Sequence, residues 1–164
     1  MTLLLVTVPT GREGDASLEL EWALGEVLIR RTEWKGVLIV ETPLLREEAL
    51  RRIEEFETQS IFRVIPIDEF VRSEENEIIE RAFEIAVARI KPGESFAVRC
   101  RRRGSRIKSC RRIEVELGAR IKAETGAVVD LSSPVWYVLI EVLGRRTGIA
   151  VVGAEELVKK TVEE

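Results

Sequence analysis

Residues 95–112 read SFAVRCRRRGSRIKSCRR, and this stretch decides the organisation of the second half of the chain. Its first six residues alternate in polarity, with Phe96, Val98 and Cys100 on one side. That alternation predicts a β-strand with one buried face. A glycine-containing loop follows the strand, and apolar residues at Ile113, Leu117 and Ile121 are spaced as on one helix face. The stretch therefore predicts a strand, a basic loop and a helix that starts near residue 109.

The same stretch concentrates positive charge. Between Arg99 and Arg112 there are eight cations and no acid. The whole chain has 26 Lys and Arg against 29 Asp and Glu, so the rest of it has 18 basic and 29 acidic residues. A basic cluster in an otherwise acidic protein indicates a surface that binds a polyanion.

The predicted helix start carries Arg111 and Arg112 in its first turn, where the helix dipole disfavours cations. Free backbone N–H groups and two guanidinium groups at one helix end suit a phosphate. Arginine outnumbers lysine in the cluster, and guanidinium groups both pair with phosphate and stack on bases. The alternative is a surface ion-pair network in which Glu114 and Glu116, or Glu residues elsewhere, neutralise these cations. We favour nucleic acid, and predict an RNA-binding surface of twelve residues: Arg99, Arg101, Arg102, Arg103, Gly104, Arg106, Lys108, Ser109, Arg111, Arg112, Arg145 and Arg146.

The first seventy residues alternate between strand and helix patterns. Apolar and β-branched runs predict strands at 2–8, 36–41 and 61–65, the last closed by Pro66. Spacing of apolar residues predicts helices at 15–31, with Trp22 on its buried side, and at 46–57. This β-α-β-α-β order predicts a small ferredoxin-like unit.

The remainder predicts a second α/β unit. Ser73 is a candidate N-cap for a helix that reaches residue 91, and strands are expected at 127–131, 135–142 and 147–152. The tail from Ala154 is predicted to be a short helix that frays at Glu163 and Glu164. We expect a mixed α/β (α+β) chain with units at 1–71 and 72–164.

The composition limits the possible chemistry. The chain has no His, so Cys100 and Cys110 cannot complete a four-ligand zinc site by themselves. Two buried thiols are the favoured interpretation of this pair, and a disulfide is the alternative. Asp68 and Asp130 are expected to hold backbone N–H groups of their own turns. We predict no catalytic residue, no metal ligand and no cofactor.

Other features concern location and habitat. No apolar run is long enough for a membrane span, and residues 3–6 lack the flanks of a signal peptide, so we expect a cytoplasmic protein. The chain has a single Asn and a single Gln among abundant charges, a composition typical of thermophiles.

Residues 95–104, the following basic loop, the helix with Gly118, the segment VDLSSP at 129–134 and the two strands after it resemble a THUMP domain. The resemblance covers residues 73–152. It implies binding of tRNA at the acceptor end, since THUMP domains occur in tRNA-modifying enzymes. The overall layout is similar to the standalone THUMP proteins that hold tRNA for a separate RNA cytidine acetyltransferase.

This resemblance implies a tRNA-binding adaptor that is not itself an enzyme and has a modification enzyme as its partner. Two alternatives remain open. One is a self-contained tRNA-modifying enzyme, and the other is a ferredoxin-like regulatory or assembly module that binds an acidic protein.

Overall fold

A computed structural model describes residues 1–162. The fold is mixed α/β, as predicted, with two five-stranded sheets and four α-helices in these residues. The strands are β1 (Thr2–Thr7), β2 (Leu28–Arg31), β3 (Val37–Thr42), β4 (Arg63–Ile67), β5 (Glu69–Arg72), β6 (Ser95–Arg103), β7 (Val128–Val129), β8 (Trp136–Leu143), β9 (Arg146–Gly153) and β10 (Val158–Lys159). The helices are α1 (Glu13–Leu24), α2 (Arg46–Glu55), α3 (Glu75–Arg89) and α4 (Cys110–Thr125), with a short 3₁₀ helix at Ala154–Glu156.

The chain divides into two compact units. The first comprises Met1–Ile67 and the C-terminal segment from Glu155, and the second comprises Asp68–Ala154. These limits differ from the predicted ones, 1–71 and 72–164, because two short strands were not foreseen. Strand β5 pairs with β9 and so places residues 69–72 in the second unit, whereas β10 pairs with β4 and returns the tail to the first.

The first unit has the element order of a ferredoxin-like unit, βαββαβ, from β1 to β4. Its sheet has the order β10-β4-β1-β3-β2, and every neighbouring pair is antiparallel. Residues from the sheet and from α1 and α2, such as Leu4, Val40, Leu20 and Ile53, form one buried cluster. The sheet face that carries Leu4 and Val40 therefore packs on both helices.

The predicted helix at 15–31 was wrong in its second half. Helix α1 ends at Leu24, and Gly25 follows with φ of 77°, a conformation that glycine adopts without a side-chain penalty. Residues 28–31 then form β2, which pairs with β3 at the edge of the sheet. The placement of Trp22 was also wrong, because this side chain is 66% exposed.

Pro66 lies inside β4 and does not close it, since it is paired in register with Leu4. On the side of β4 away from β1, β10 pairs with Arg63 and Val64 only. Proline, which lacks an N–H, is tolerated at such an edge position. The predicted tail helix is replaced by the 3₁₀ turn and β10, and the predicted fraying at Glu163 and Glu164 lies outside the described residues.

The second unit has the sheet order β5-β9-β8-β6-β7. Strand β6 is parallel to β7 and β8, with α4 as the crossover, and the other pairs are antiparallel. One buried cluster unites α3, α4 and a sheet face, with Ile78, Phe96, Ile113 and Val138 among its members. Both helices therefore pack on the face of β6 that carries Phe96 and Val98, as the alternation of this strand predicted.

Helix α3 begins one residue later than predicted. Its N-cap is Glu74, whose side chain makes no capping bond. The Ser73 hydroxyl is instead hydrogen-bonded to the Thr147 hydroxyl at 2.8 Å. No helix within residues 1–162 combines the length and apolar character that crossing a membrane requires.

Candidate nucleic-acid interface

The basic loop, residues 104–109, joins the end of β6 to the start of α4. Gly104 opens it with φ of 96°, where a side chain would be strained. Ser109 closes it as the N-cap of α4, and its hydroxyl accepts the Arg112 N–H at 3.1 Å. Gly104 and Ser109 are the two uncharged residues of the predicted surface. Gly104 therefore shapes the loop, and Ser109 caps the helix.

The basic loop is held by one arginine of β6 and by one apolar side chain of its own. Arg102 Nη1 donates to the backbone oxygens of Ile107 and Lys108, at 2.9 and 2.7 Å. Ile107 is 2% exposed and belongs to the core between the sheet and its helices. The loop is thus a defined structure that presents its remaining cations to solvent.

A disulfide joins Cys100 of β6 to Cys110, the first residue of α4. The favoured prediction of two free thiols was wrong. Cys100 lies on the helix-facing side of its strand and α4 begins over that side, so the two Cα atoms are 5.3 Å apart. Such a separation is within the range that a disulfide spans.

The β8–β9 hairpin meets the basic loop at the same end of the second sheet. The Gly144 N–H donates to the Arg103 carbonyl at 2.9 Å, and the Ser73 N–H donates to the Arg145 carbonyl at 2.8 Å. Arg106, Arg145 and Arg146 line one open groove of about 840 Å³. Four further charged residues line the same groove: Glu69, Arg72, Glu74 and Glu77. The sheet therefore places Arg145 and Arg146 of the hairpin beside the basic loop. The predicted RNA-binding surface included both residues.

We define the basic end as the cations at this end of the second unit whose side chains project into solvent and make no hydrogen bond or ion pair with any of residues 1–162. All of its members are exposed. They are Arg101, Arg106, Lys108, Arg111 and Arg145.

The other predicted cations contact neighbouring groups of the protein. Arg103 Nη1 lies 3.8 Å from a Glu141 carboxylate oxygen, and both side chains are largely buried. Arg99 donates to the Leu131 carbonyl at 2.7 Å and lies over the ring of Tyr137. These contacts separate the cations that have a partner within the protein from those that have none among residues 1–162, although Arg99 is itself exposed.

Two further cations are partly engaged at the rim of the basic end. Arg112 Nε lies 2.9 Å from a Glu75 carboxylate oxygen and 4.0 Å from one of Glu116. Arg146 lies 5.9 Å from the centroid of the Phe70 ring. Arg112 and Arg146 are both exposed, so a ligand can still reach them.

The ion-pair alternative can be judged at Glu114 and Glu116. The Glu114 carboxylate accepts the backbone N–H of Cys100 at 3.0 Å, and Glu116 approaches Arg112. Neither acid has an ion pair with Arg111 among the described residues. Within residues 1–162, these two local acids therefore do not neutralise most of the cluster.

The start of α4 favours an anion. Its first turn contains no acidic residue, and Arg111 and Arg112 are both exposed there. Backbone N–H groups at a helix start bear partial positive charge, and here two cations add to it. An anion bound at this position would meet both contributions at once.

The two carboxylates considered for catalysis have other partners. Asp130 accepts N–H groups of Ser132 and Ser133 at 3.0 and 3.1 Å, as predicted, and these bonds lower the pKa of Asp130, the Ser133 N–H most of all. Asp68 was expected to bind its own turn, but its carboxylate binds groups that are distant in sequence. It accepts the Val151 N–H and an Arg89 guanidinium N–H, at 2.7 and 2.9 Å. Residues 1–162 contain no group of three or more His, Cys, Asp or Glu placed to hold a metal ion.

Some residues of this region escaped sequence reasoning. Arg72 and Phe70 line the groove because β5 brings them to it, and β5 itself was not predicted. Glu75, which pairs with Arg112, was not recognised in the sequence as a neighbour of the basic stretch. Residues 69–72 read EFVR, which does not alternate between polar and apolar residues, and four residues are too few to reveal a strand.

Residues 72–152 match the THUMP domain family. The chain contains a THUMP domain. The assignment agrees with the resemblance seen in the sequence, and it suggests a tRNA-binding role in tRNA modification. The basic loop, α4 and nearly all of the β8–β9 hairpin lie within the THUMP segment, whereas most of the first unit precedes it.

Solved structures share the fold of the THUMP domain together with that unit. TrmN from Thermus thermophilus superimposes with a TM-score of 0.71 over 92% of this chain, at 21% identity. PH1313 from Pyrococcus horikoshii gives 0.67 over 97%, at 20% identity. A 4-thiouridine synthetase in complex with RNA and ATP gives 0.65 over 97%, at 15% identity. The matched regions make up 45%, 55% and 42% of those three chains.

A relative by sequence is the uncharacterized protein MJ0421 of Methanocaldococcus jannaschii. It is 32% identical over 131 residues, which is 80% of this chain and 35% of that protein. The chain thus spans about a third of this relative and about half of the structures that share its fold.

Proposed function

We propose that this protein is a tRNA-binding adaptor that presents tRNA to a separate modification enzyme, with cytidine acetylation as the reaction served. The observation that carries the proposal is the basic end beside the acid-free start of α4. Five exposed cations without a partner among residues 1–162 lie there within a THUMP domain. The proposal places the protein in the cytoplasm, where its substrate tRNA would be found.

The chemistry of the basic end suits a phosphate backbone. Four of its five members are arginines, whose planar guanidinium groups bind phosphate oxygens in pairs. They project from a strand end, a loop, a helix start and a hairpin, so they are spread over a surface and do not converge on one point. A polymer with repeated phosphates uses such a surface better than a single small anion does. One of the structures that share the fold is a complex with RNA, which supports the same choice.

The proposal that this protein is not itself an enzyme rests on the hydrogen bonds that its two candidate catalytic carboxylates already accept. Asp68 and Asp130 each accept several internal hydrogen bonds, so neither is poised to take a proton from a substrate. The choice of a cytidine acetyltransferase as partner rests on the sequence resemblance to THUMP proteins that hold tRNA for such an enzyme. Acceptor-end binding rests on the same resemblance.

The test is a titration of fluorescently labelled tRNA with purified protein at several salt concentrations. We expect binding that weakens steeply, with a slope in log Kd of about 0.9 per phosphate contact. An acceptor-arm minihelix should compete for the protein and an anticodon stem-loop should not. Absence of tRNA binding at low salt, together with tight binding to polyglutamate or another acidic protein, would reject the proposal in favour of the protein-binding alternative.

The adaptor role is tested separately from binding. The purified protein is incubated with tRNA and, in turn, with S-adenosylmethionine, ATP or acetyl-CoA, and the nucleosides are analysed by mass spectrometry. We expect no modified nucleoside from this protein alone, and acetylcytidine when an RNA cytidine acetyltransferase is added. A modified nucleoside formed by the protein alone would establish the self-contained enzyme.

A further inference from the structure

The Cys100–Cys110 disulfide lies at the base of the proposed binding surface. It links the middle of β6 to the first residue of α4 and so closes a covalent ring around the basic loop. The ring contains Arg101, Arg106 and Lys108, and Arg111 follows it directly. Four of the five members of the basic end therefore lie within the ring or next to it.

The noncovalent contacts of the loop are few. Arg102 holds two loop carbonyls, Ile107 inserts into the core, and Ser109 caps α4. Arg102 of β6 and the Glu114 carboxylate of α4, which accepts the Cys100 N–H at 3.0 Å, also hold the strand near the helix start. The disulfide adds a covalent link between the two elements. A covalent link of this kind reduces the conformations open to the segment it encloses.

The core of the THUMP domain does not depend on the disulfide. Phe96, Ile113, Leu117 and Ile121 are fully buried, and they belong to the cluster that unites β6, α4 and the rest of the unit. Opening the disulfide would leave this cluster in place and would remove the covalent constraint on the loop and the first turn of α4. Both cysteines are half-buried at the edge of the core, where a reductant can approach them.

We propose that the Cys100–Cys110 disulfide positions the basic end for tRNA, and that its reduction lowers the affinity for tRNA without unfolding the domain. This inference rests on the proposed function. The reductant is a dithiol, one thiolate of which attacks one sulfur of the bridge and forms a mixed disulfide. The second thiolate of the dithiol then displaces the protein sulfur. Two electrons and two protons are transferred, so that the protein gains two thiols and the dithiol becomes a cyclic disulfide.

Reduction changes no charge of the basic end, because both forms of the pair are neutral when the thiols are protonated. The expected loss is therefore one of preorganisation, since tRNA must order the loop when it binds. We expect the Kd for tRNA to rise by about three- to tenfold, the range expected for ordering a few side chains and a short loop.

The experiment compares four samples of the full chain: oxidised protein, protein reduced by a dithiol, reduced protein after reoxidation, and the Cys100→Ser, Cys110→Ser double variant. Labelled tRNA is titrated into each, thiols are counted, and circular dichroism confirms the fold. We expect reduced and double-variant protein to bind alike and more weakly than oxidised protein. Reoxidation should restore the affinity, and the reductant should not change the double variant.

A second readout is hydrogen exchange of the backbone amides of residues 104–112. Reduction should accelerate exchange there and leave the buried part of α4 near Leu117 unchanged. Equal tRNA affinity of the oxidised and reduced forms would overturn this inference and leave the proposed function intact. Failure of the oxidised protein to bind tRNA would overturn both, and global loss of protection on reduction would overturn the positioning role.

Discussion

Helices α3 and α4 begin side by side at one end of the second unit, and their first turns have opposite character. Helix α3 starts with Glu75 and Glu77, and its N-cap makes no side-chain bond. Helix α4 starts with Arg111 and Arg112, has no acid in its first turn and is capped by Ser109. A 2.9 Å ion pair between Glu75 and Arg112 shows how close the two starts are.

This contrast separates stability from binding within the second unit. Acids at a helix start complement the dipole, so the sequence of α3 is the one that favours folding. Helix α4 departs from that rule by two adjacent arginines, and it receives a side-chain cap that α3 lacks. The cap offsets part of the cost of placing cations where an anion would be favoured, which leaves the helix start available to a phosphate.

The largest expected effect comes from giving α4 the charge of α3. In the Arg111→Glu, Arg112→Glu variant, tRNA binding at low salt should weaken by about 1–3 kcal/mol for each charge-assisted hydrogen bond to phosphate that the variant cannot make. The salt slope should fall by about one unit for each such phosphate. The fold should persist, because acids at a helix start are favoured by the dipole. Titration with labelled tRNA measures both quantities.

The control for this variant makes the same charge change at the opposite end of the same helices. Lys91 follows the end of α3 and Lys122 lies in the last turn of α4, and both are exposed. The Lys91→Glu, Lys122→Glu variant should bind tRNA nearly as well as the native protein. An equal decrease in affinity in the two variants would mean that net charge, and not the start of α4, governs binding.

A smaller effect is expected from the caps. Ser109→Ala removes the hydroxyl that accepts the Arg112 N–H, and should lower the free energy of unfolding by about 1 kcal/mol. Glu74→Ala, the matched change at the N-cap of α3, removes no capping bond and should cost less. Urea unfolding of both variants measures the difference. An equal decrease in the free energy of unfolding in both variants would show that the Ser109 cap does not stabilise α4.

Releasing Arg112 from its acidic neighbour should strengthen binding. Glu75→Gln breaks the ion pair with Arg112, and we expect tRNA affinity to rise by about two- to threefold, a change of roughly 0.5 kcal/mol that is typical of an exposed charge pair. Glu124→Gln, which removes an exposed acid from the last turn of α4, serves as the control and should have no effect on binding. A decrease in affinity on Glu75→Gln would indicate that this pair orients Arg112 for tRNA.

The smallest effect concerns the contact between the two helices further along. Arg120 of α4 donates to Glu80 of α3 at 2.6 Å, and this hydrogen bond lowers the pKa of the Glu80 carboxyl from its ordinary 4.5. A carboxyl with a lowered pKa stabilises the fold above its unfolded pKa and loses that contribution as pH falls through the folded value. The difference in urea midpoint between native protein and Glu80→Gln should therefore be small at pH 7 and vanish in acid. A difference that persists at pH 2 would contradict this origin.

Sequence reasoning was most successful where a pattern extends over many residues. The alternation of β6, the i, i+4 spacing along α4 and the charge of the basic loop indicated a strand, a helix and a basic surface between them. The THUMP segment was indicated by the resemblance of residues 95–104 and 129–134 to that family. It failed for short elements. Strands β2, β5 and β10 have four residues or fewer, and their formation depends on a neighbouring strand and not on their own composition.

The candidate surface was foreseen as a set of residues but not as an arrangement. Arg102 and Arg103 have the same sequence signature as Arg101, yet one holds the loop and the other pairs with buried Glu141. Strand geometry places Arg102 on the opposite face of β6 from Arg101 and Arg103, because successive side chains alternate between faces. Arg101 and Arg103 share a face and differ in the neighbours that their side chains reach, since the Arg103 side chain reaches Glu141. Sequence position alone cannot distinguish a binding cation from a structural one.

Local pattern and composition are sufficient to establish the mixed α/β class, the concentration of positive charge between Arg99 and Arg112, and the helix start that lacks acids. Three other features arise from tertiary structure. The tail returns to the first sheet through β10, Arg145 lies beside the basic loop, and Cys100 is joined to Cys110. Each depends on which backbones lie next to one another, and packing of sheets and helices, not local preference, sets that proximity.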